Sequence, residues 1–374
     1  MWLRNTFWSG AGIFSGEVSL VGGRLESRLC LVLLVMWMLP ALLSAMQGDS
    51  AARSFLSDSA LHARSLVAVP VLIFGEYFSM PLLREISGRF RSLISEEDRG
   101  LFEAYLDPVR SFRLPVAVVI ASIVCAYLVV LILIRYLPLS SISDWQRGDG
   151  DGFRLFSPGG WWNVLVNVPL VLSLLFMWIW RLFLWSRFLW QVSRLHLQLI
   201  ASHPDGMAGL RFLGYSPAVL LPLSFALSAI LAGMIADRVL LFGEPVMSYQ
   251  HLLYTFAGVV IVLYYGPAII LTGKLFNVRR RGVVAYSRLA NRVGRSFEEK
   301  WMKDSDASAL EVPDFSATAD LYHVVEQVYR MRVVPIDVKS LGIFITVTLI
   351  PFLPVILLQV PLKTLVQKIA ELSF

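Results

Sequence analysis

Residues 161–214 read WWNVLVNVPLVLSLLFMWIWRLFLWSRFLWQVSRLHLQLIASHPDGMAGLRFLG, and the character of the whole chain is visible in them. Trp161–Trp180 is a run of 20 residues without a formal charge. At 1.5 Å per helical residue it spans about 30 Å, the thickness of a bilayer's hydrocarbon core. Trp161 and Trp162 open the run, and Trp178, Trp180 and Trp185 close it, which matches two interfacial aromatic belts. Polarity then returns at Arg187, Gln191, Arg194 and Gln198, spaced by 4, 3 and 4 residues. That spacing predicts a helix continuing through 181–200 with one polar stripe, either facing water or binding lipid phosphates or a partner's carboxylates. His203-Pro204-Asp205-Gly206 then predicts a structural turn. Proline presets φ, aspartate bonds the backbone and glycine accepts positive φ.

The rest of the chain repeats the first part of this pattern. Of its 374 residues 56% are hydrophobic and only 16% charged, with mean hydropathy +0.66. A soluble domain carries roughly a quarter charged residues. Uncharged runs of 18 to 22 residues occur at Leu29–Met46, Leu114–Ile134, Pro217–Ala236, Leu252–Gly273 and Leu341–Leu362. A weaker span, Leu66–Leu83, contains Pro70, Glu76 and Pro81. Reading the first run as a cleaved signal peptide is disfavoured by the lack of a small-x-small cleavage site. The fold class expected is therefore all-α, a polytopic bundle of about seven spans.

Of the 33 Lys and Arg residues, 25 fall in alternate connections on one side and 8 on the other. The positive-inside rule then puts the N-terminus in the cytoplasm and the C-terminus outside. The net charge of +6 arises from residues flanking apolar runs. This favours anionic lipids on the cytoplasmic face and argues against nucleic acid. Cys30 and Cys125 both lie in apolar runs and offer neither a disulfide framework nor metal spacing.

Three regions are expected. Residues 1–273 hold six spans, with the helical extension and turn at 181–216. Residues 274–340 form a basic cytoplasmic helical segment, and 341–374 hold the last span and a short amphipathic tail at 363–372. In the second region Arg279, Arg280 and Arg281 end the sixth span. An amphipathic helix follows, with Tyr286, Leu289, Val293, Phe297 and Trp301 on one face and Arg288, Arg292 and Arg295 largely off it. Residues 304–319 read as a linker, and Leu321, Val324, Val325, Val328 and Met331 mark a second short helix. The segment is too small for a core of its own and is expected to dock on the bundle or on another subunit.

The strings MLPALLSAMQG (38–48), HARSLVAVPVLIFGE (62–76), LIASHPDGMAGLRFLG (199–214), YYGPAIILTGKLFNVRRRGVVAYSRLA (264–290) with FEEKW (297–301), and MRVVPIDVKSLGIFITVTLIPFLP (331–354) are spread over most of the chain's length. In them it resembles a family of uncharacterised bacterial multi-pass inner-membrane proteins. The resemblance implies a shared membrane fold in the bacterial inner membrane and brings no activity or functional residue with it. Met207 and Arg211 stand where that family usually has small residues.

Chemistry-bearing patterns are sparse. His-Pro-Asp is also the tripeptide of J-domain co-chaperones, but the flanking features of that domain are missing. His196, His203 and Asp205 have no spacing that fixes a metal geometry. Gly148-Asp149-Gly150-Asp151 matches GxGD only as a polar loop, and no Walker loop, nucleophile elbow or Rossmann fingerprint occurs. No cofactor or metal is expected, and no enzyme. Asp237-Arg238 reads as an interfacial ion pair or as a pair of snorkelling side chains. Glu76 is the one carboxylate well inside an expected span, where an ionisable group needs a partner, a proton or water. Tyr264-Tyr265-Gly266-Pro267 is expected to interrupt the sixth span near its middle, and Pro351 and Pro354 the seventh. Broken helices surround many transport sites.

Two functional classes follow. In one, Glu76, Tyr264, Tyr265, Gly266 and Pro267 line a path in an ion or small-solute channel or transporter. In the other, the chain is a scaffold or signalling subunit whose 274–340 segment docks a cytoplasmic partner; the expected partner is a second protein or, in a homo-oligomer, another copy of this chain. The contact residues for lipid or partner are then Arg187, Arg194, Arg279, Arg280, Arg281, Arg288 and Arg292.

Overall fold

A computed structural model describes residues 27, 29–111, 114–136, 142–148, 150, 155–302 and 314–359. The N-terminal leader, Asp149 and Asp151, the linker as far as 313, and the 363–372 tail lie outside the described residues. The described residues form helices and, besides two isolated bridges, no strand. Seven helices are long and apolar enough to cross a membrane, and the chain is a multi-pass integral membrane protein. The spans are α1 (Leu29–Gln47), α3 (Ser59–Leu93), α5 (Val116–Tyr136), α6 (Pro158–Val192), α7 (Leu221–Leu241), α8 (Val246–Ile269) and α11 (Val338–Leu358). Among the described residues, the further helices of eight or more residues are α2 (Asp49–Leu56), α4 (Arg99–Ser111), α9 (Thr272–Trp301) and α10 (Asp314–Arg330).

The helix centred on Glu76 is longer than its apolar run. It spans 35 residues, as α6 does, so both project well past the hydrocarbon on the arginine-rich side. The most enclosed span is α7, packed along α3. Small residues make that approach possible. A Cβ on Gly75 would lie 2.2 Å from Pro222 Cβ, and one on Gly233 2.5 Å from Ala63 Cβ.

Prolines shape the opposite ends of three spans. Pro40, Pro70 and Pro169 each follow by two residues a short π-helical stretch, at Leu34–Met38, Ala63–Ala68 and Asn163–Asn167. Proline has no N–H and its ring crowds the carbonyl four residues back, so the helix widens locally. Two of the carbonyls released are taken up by neighbouring helices. Asn167 Nδ2 donates to Met36 O at 3.0 Å, and the Tyr127 hydroxyl donates to Leu165 O at 2.9 Å.

On the same side, Asp58 pins a loop over the bundle. Its carboxylate accepts from Leu61 N–H (2.7 Å), Trp145 Nε1 (2.9 Å), the Ser143 hydroxyl (3.2 Å) and Gln146 Nε2 (3.3 Å). Trp145 is fully buried, edge-on to Phe55. Asp237 accepts from the Ser59 and Ala60 N–H groups at 2.7 and 3.1 Å, so its role is to cap α3. Replacing Asp58 with alanine orphans several buried donors and is expected to cost about 2 kcal/mol. Chemical unfolding in detergent, followed by Trp emission, measures it.

The arginine-rich side carries a second layer with an apolar core. Phe90 of α3 lies 5.7 Å from Phe188 of α6 and 4.9 Å from Phe212, and Trp185 stacks on Phe188 at 5.6 Å. Here α6 ends at Val192, capped by Ser193, and does not continue to residue 200. The next residues are extended, with Leu197 bridged to Ile94 and Gln198 N–H donating to Leu93 O at 2.7 Å. The cause is local. Leu195, His196, Leu197, Gln198 and Leu199 alternate apolar and polar, and their burial alternates with them. Gln198 therefore leaves the expected stripe, and Arg194 sits just past the helix end.

Candidate functional site

Glu76 meets an arginine from the neighbouring span. The Arg181 guanidinium donates to the Glu76 carboxylate; Arg181 is 2% exposed and Glu76 50%. Trp178, one turn before Arg181, places its ring 5.3 Å from the guanidinium and donates from Nε1 to Leu72 O at 3.2 Å. Glu76 thus lies level with Trp178 and Arg181, where the uncharged run of α6 ends. The ionisable group that the span needed to partner has that partner in Arg181.

The other residues of the expected path lie on α8, where Tyr264 and Tyr265 join the same apolar cluster as Leu72, Met80 and Trp178. Tyr264 and Tyr265 are buried, their rings 4.9 and 5.7 Å from Phe344 of α11. The expected break at Gly266-Pro267 is corrected: α8 runs on to Ile269 with Pro267 in its last turn. A helix survives one missing hydrogen bond by bending. The chain turns at Ile270 and Leu271, whose N–H groups reach Pro267 O and Ala268 O, and α9 begins at Thr272. In α11 the expected interruption is present, a 3-10 turn at Ile350–Phe352 containing Pro351.

The His203-Pro204-Asp205-Gly206 turn is the keystone of the arginine-rich layer. The Asp205 carboxylate accepts from the backbone N–H groups of Met207 (2.8 Å), Gly209 (3.1 Å) and Arg211 (3.1 Å), and His203 Nδ1 lies 2.9 Å away. Gly206, Ala208 and Gly209 all take positive φ, which such tight wrapping requires. His196 is engaged elsewhere, its backbone N–H and Nδ1 at 2.6 and 3.0 Å from Asp98, so the histidines do not converge. Gly206 O accepts from Arg332 N–H at 2.9 Å, tying the turn to the end of α10.

Partial burial alone would raise the Asp205 pKa. The three backbone donors and His203 outweigh it and hold the carboxyl below its ordinary value. A depressed carboxylate stabilises fully above its unfolded pKa of about 4 and loses that contribution as pH falls through the folded value. Between neutral pH and about pH 4 the stability gap between wild type and Asp205→Asn is therefore expected to hold constant. Below about pH 4 it narrows, as thermal unfolding across that range will show.

The basic segment folds as a helical hairpin of α9 and α10 seated on this layer. A Cβ on Gly282 would lie 2.4 Å from Ala201 Cβ and 3.3 Å from Val328 Cγ1, so α9 touches the turn region at backbone distance. Lys274 Nζ donates to Leu195 O, and the Tyr286 and Ser202 hydroxyls are 2.9 Å apart. Further out, Phe315 packs on Phe297 at 4.7 Å and on Trp301 at 5.3 Å. Tyr286, Val293, Phe297 and Trp301 face inward as expected, whereas Leu289 is exposed. Residues 314–319, read as linker, already belong to α10.

Among the arginines, Arg279 donates to Tyr329 O at 2.9 Å and so closes the hairpin. Arg280, Arg281, Arg288, Arg292 and Arg295 are exposed and, among the described residues, have no carboxylate partner. Arg194 stacks over Trp190, 3.7 Å from the ring centroid, and Arg187 stands free on α6. Sequence reasoning missed Arg181 as the partner of Glu76 and Gly282 as the seat of the hairpin. The only signals were the first charge after an apolar run and a glycine in a basic helix. No protein-family model matches the chain, and no curated protein or solved structure is similar to it.

Proposed function

We propose that the protein is a non-enzymatic scaffold of the bacterial inner membrane, anchored by its seven spans and presenting the α9–α10 hairpin in the cytoplasm to an acidic partner protein. One observation carries this reading: five exposed, unpaired arginines share α9, on a hairpin whose base is locked to the bundle at Gly282 and Ala201. Exposed guanidinium forks suit bidentate carboxylates and speed the encounter with an acidic surface. A seated hairpin also loses little freedom on binding.

A photo-cross-linkable residue at position 289, in intact cells, tests it. The expected result is one discrete protein adduct that is lost with Arg288→Glu and Arg292→Glu. Adducts with lipid alone, or a protein adduct indifferent to charge reversal, would contradict the reading. Transport remains the second reading because the buried Tyr264 and Tyr265 hydroxyls have no hydrogen-bond partner among the described residues.

A further inference from the structure

A groove of about 270 Å³ lies between α4 and α6 on the arginine-rich side, apart from the hairpin. Its apolar walls are Tyr105, Pro108 and Val109 from α4 and Leu184 and Phe188 from α6. Arg187 and Gln191, one helical turn apart, supply the polar rim. Neither side chain has a hydrogen-bond or ion-pair partner among the described residues. Ala104 also lines the groove, and Pro108, four residues on, lacks the N–H that would hold the Ala104 carbonyl in a regular helix. The rim therefore combines a fixed cation, an amide and a carbonyl released from helix bonding.

Depth and surroundings say what such a rim meets. Arg187 lies six residues past Arg181, about 9 Å further along one helix and between Trp185 and Trp190, which is the level of an interfacial belt. α4 leads into α5, whose exposed Val116, Ile120, Leu128 and Leu131 form a lipid-facing surface. The groove volume falls just short of that of a drug-sized pocket, so it takes a headgroup and not a whole lipid.

We propose that this groove binds the headgroup of an anionic phosphatidylglycerol-type lipid. Arg187 holds the phosphate, Gln191 and the Ala104 carbonyl take the headgroup hydroxyls, and one acyl chain lies along α5. A zwitterionic headgroup carries its own cation beside the phosphate and gains less from Arg187. The site does not depend on the scaffold reading.

Native mass spectrometry tests it on full-length protein equilibrated with equal amounts of phosphatidylglycerol and phosphatidylcholine of matched chains. Wild type is expected to retain phosphatidylglycerol about ten-fold over phosphatidylcholine, the scale of one charged hydrogen bond. Arg187→Gln is expected to bring the ratio to about one, and Ala104→Phe, which fills the groove, to lower retention of both lipids. Circular dichroism and thermal unfolding verify that each variant folds, and Gln191→Leu replaces any that does not, with a partial loss expected. The assignment is overturned by equal retention in wild type, by an unchanged ratio in Arg187→Gln, or by retention indifferent to Ala104→Phe. Full displacement by soluble glycerophosphate would overturn the acyl-chain part.

Discussion

Glu76→Ala is expected to destabilise the protein by about 2–4 kcal/mol, because it leaves the Arg181 guanidinium charged and buried. Removing one partner of a buried pair costs about 3–5 kcal/mol, and the half-exposed position of Glu76 reduces that. Arg181→Ala instead leaves a half-exposed carboxylate, together with a gap beside Trp178. The double replacement Glu76→Gln with Arg181→Met removes the charge problem from both sides and is expected to recover most of the loss. A double-mutant cycle by chemical unfolding in detergent measures the coupling. Strictly additive losses would show that the pair does not hold α3 to α6.

Gly282→Val is expected to lift the hairpin off the bundle. The Ala201 methyl that a new Cβ would meet is fixed to backbone and has no rotamer to escape into. Overpacking of this kind costs about 1–3 kcal/mol, which at a locally opening element appears as roughly 10- to 100-fold faster amide exchange. Exchange is expected to rise through α9 and α10 while α3, α6 and α7 keep their protection. Gly282→Ala paired with Ala201→Gly moves the methyl across the contact and is expected to restore the seat. Faster exchange through every span would mean that the hairpin and bundle unfold together.

Much of this architecture was legible in the residues. Six uncharged runs and the weaker Leu66–Leu83 segment marked all seven spans, because no other arrangement satisfies so many apolar residues at once. Pro-Asp-Gly marked the elbow, and the apolar face of 286–301 marked a helix that had to be covered. Two local misreadings have local causes. The leucines of 195–199 repeat every second residue, a strand period that a helical stripe through Arg187 and Gln191 concealed. Pro267 was weighted as a break, yet the helix ends where the tight turn at Ile270 and Leu271 forms. What stayed hidden was tertiary. Nothing near Glu76 in the chain announces Arg181, 105 residues away, nor does anything near Gly282 announce Ala201. The level of Glu76 followed only once its partner was known, since Trp178 and Arg181 belong to another helix.

The most direct test of the whole reading is proton and monovalent-ion flux from liposomes containing the purified protein, with wild type beside Glu76→Gln. If the Glu76–Arg181 pair holds helices together and the bundle serves as an anchor, both proteins will leak no faster than protein-free vesicles. Flux in wild type that disappears in Glu76→Gln would place Glu76 on a conduction path and contradict the scaffold.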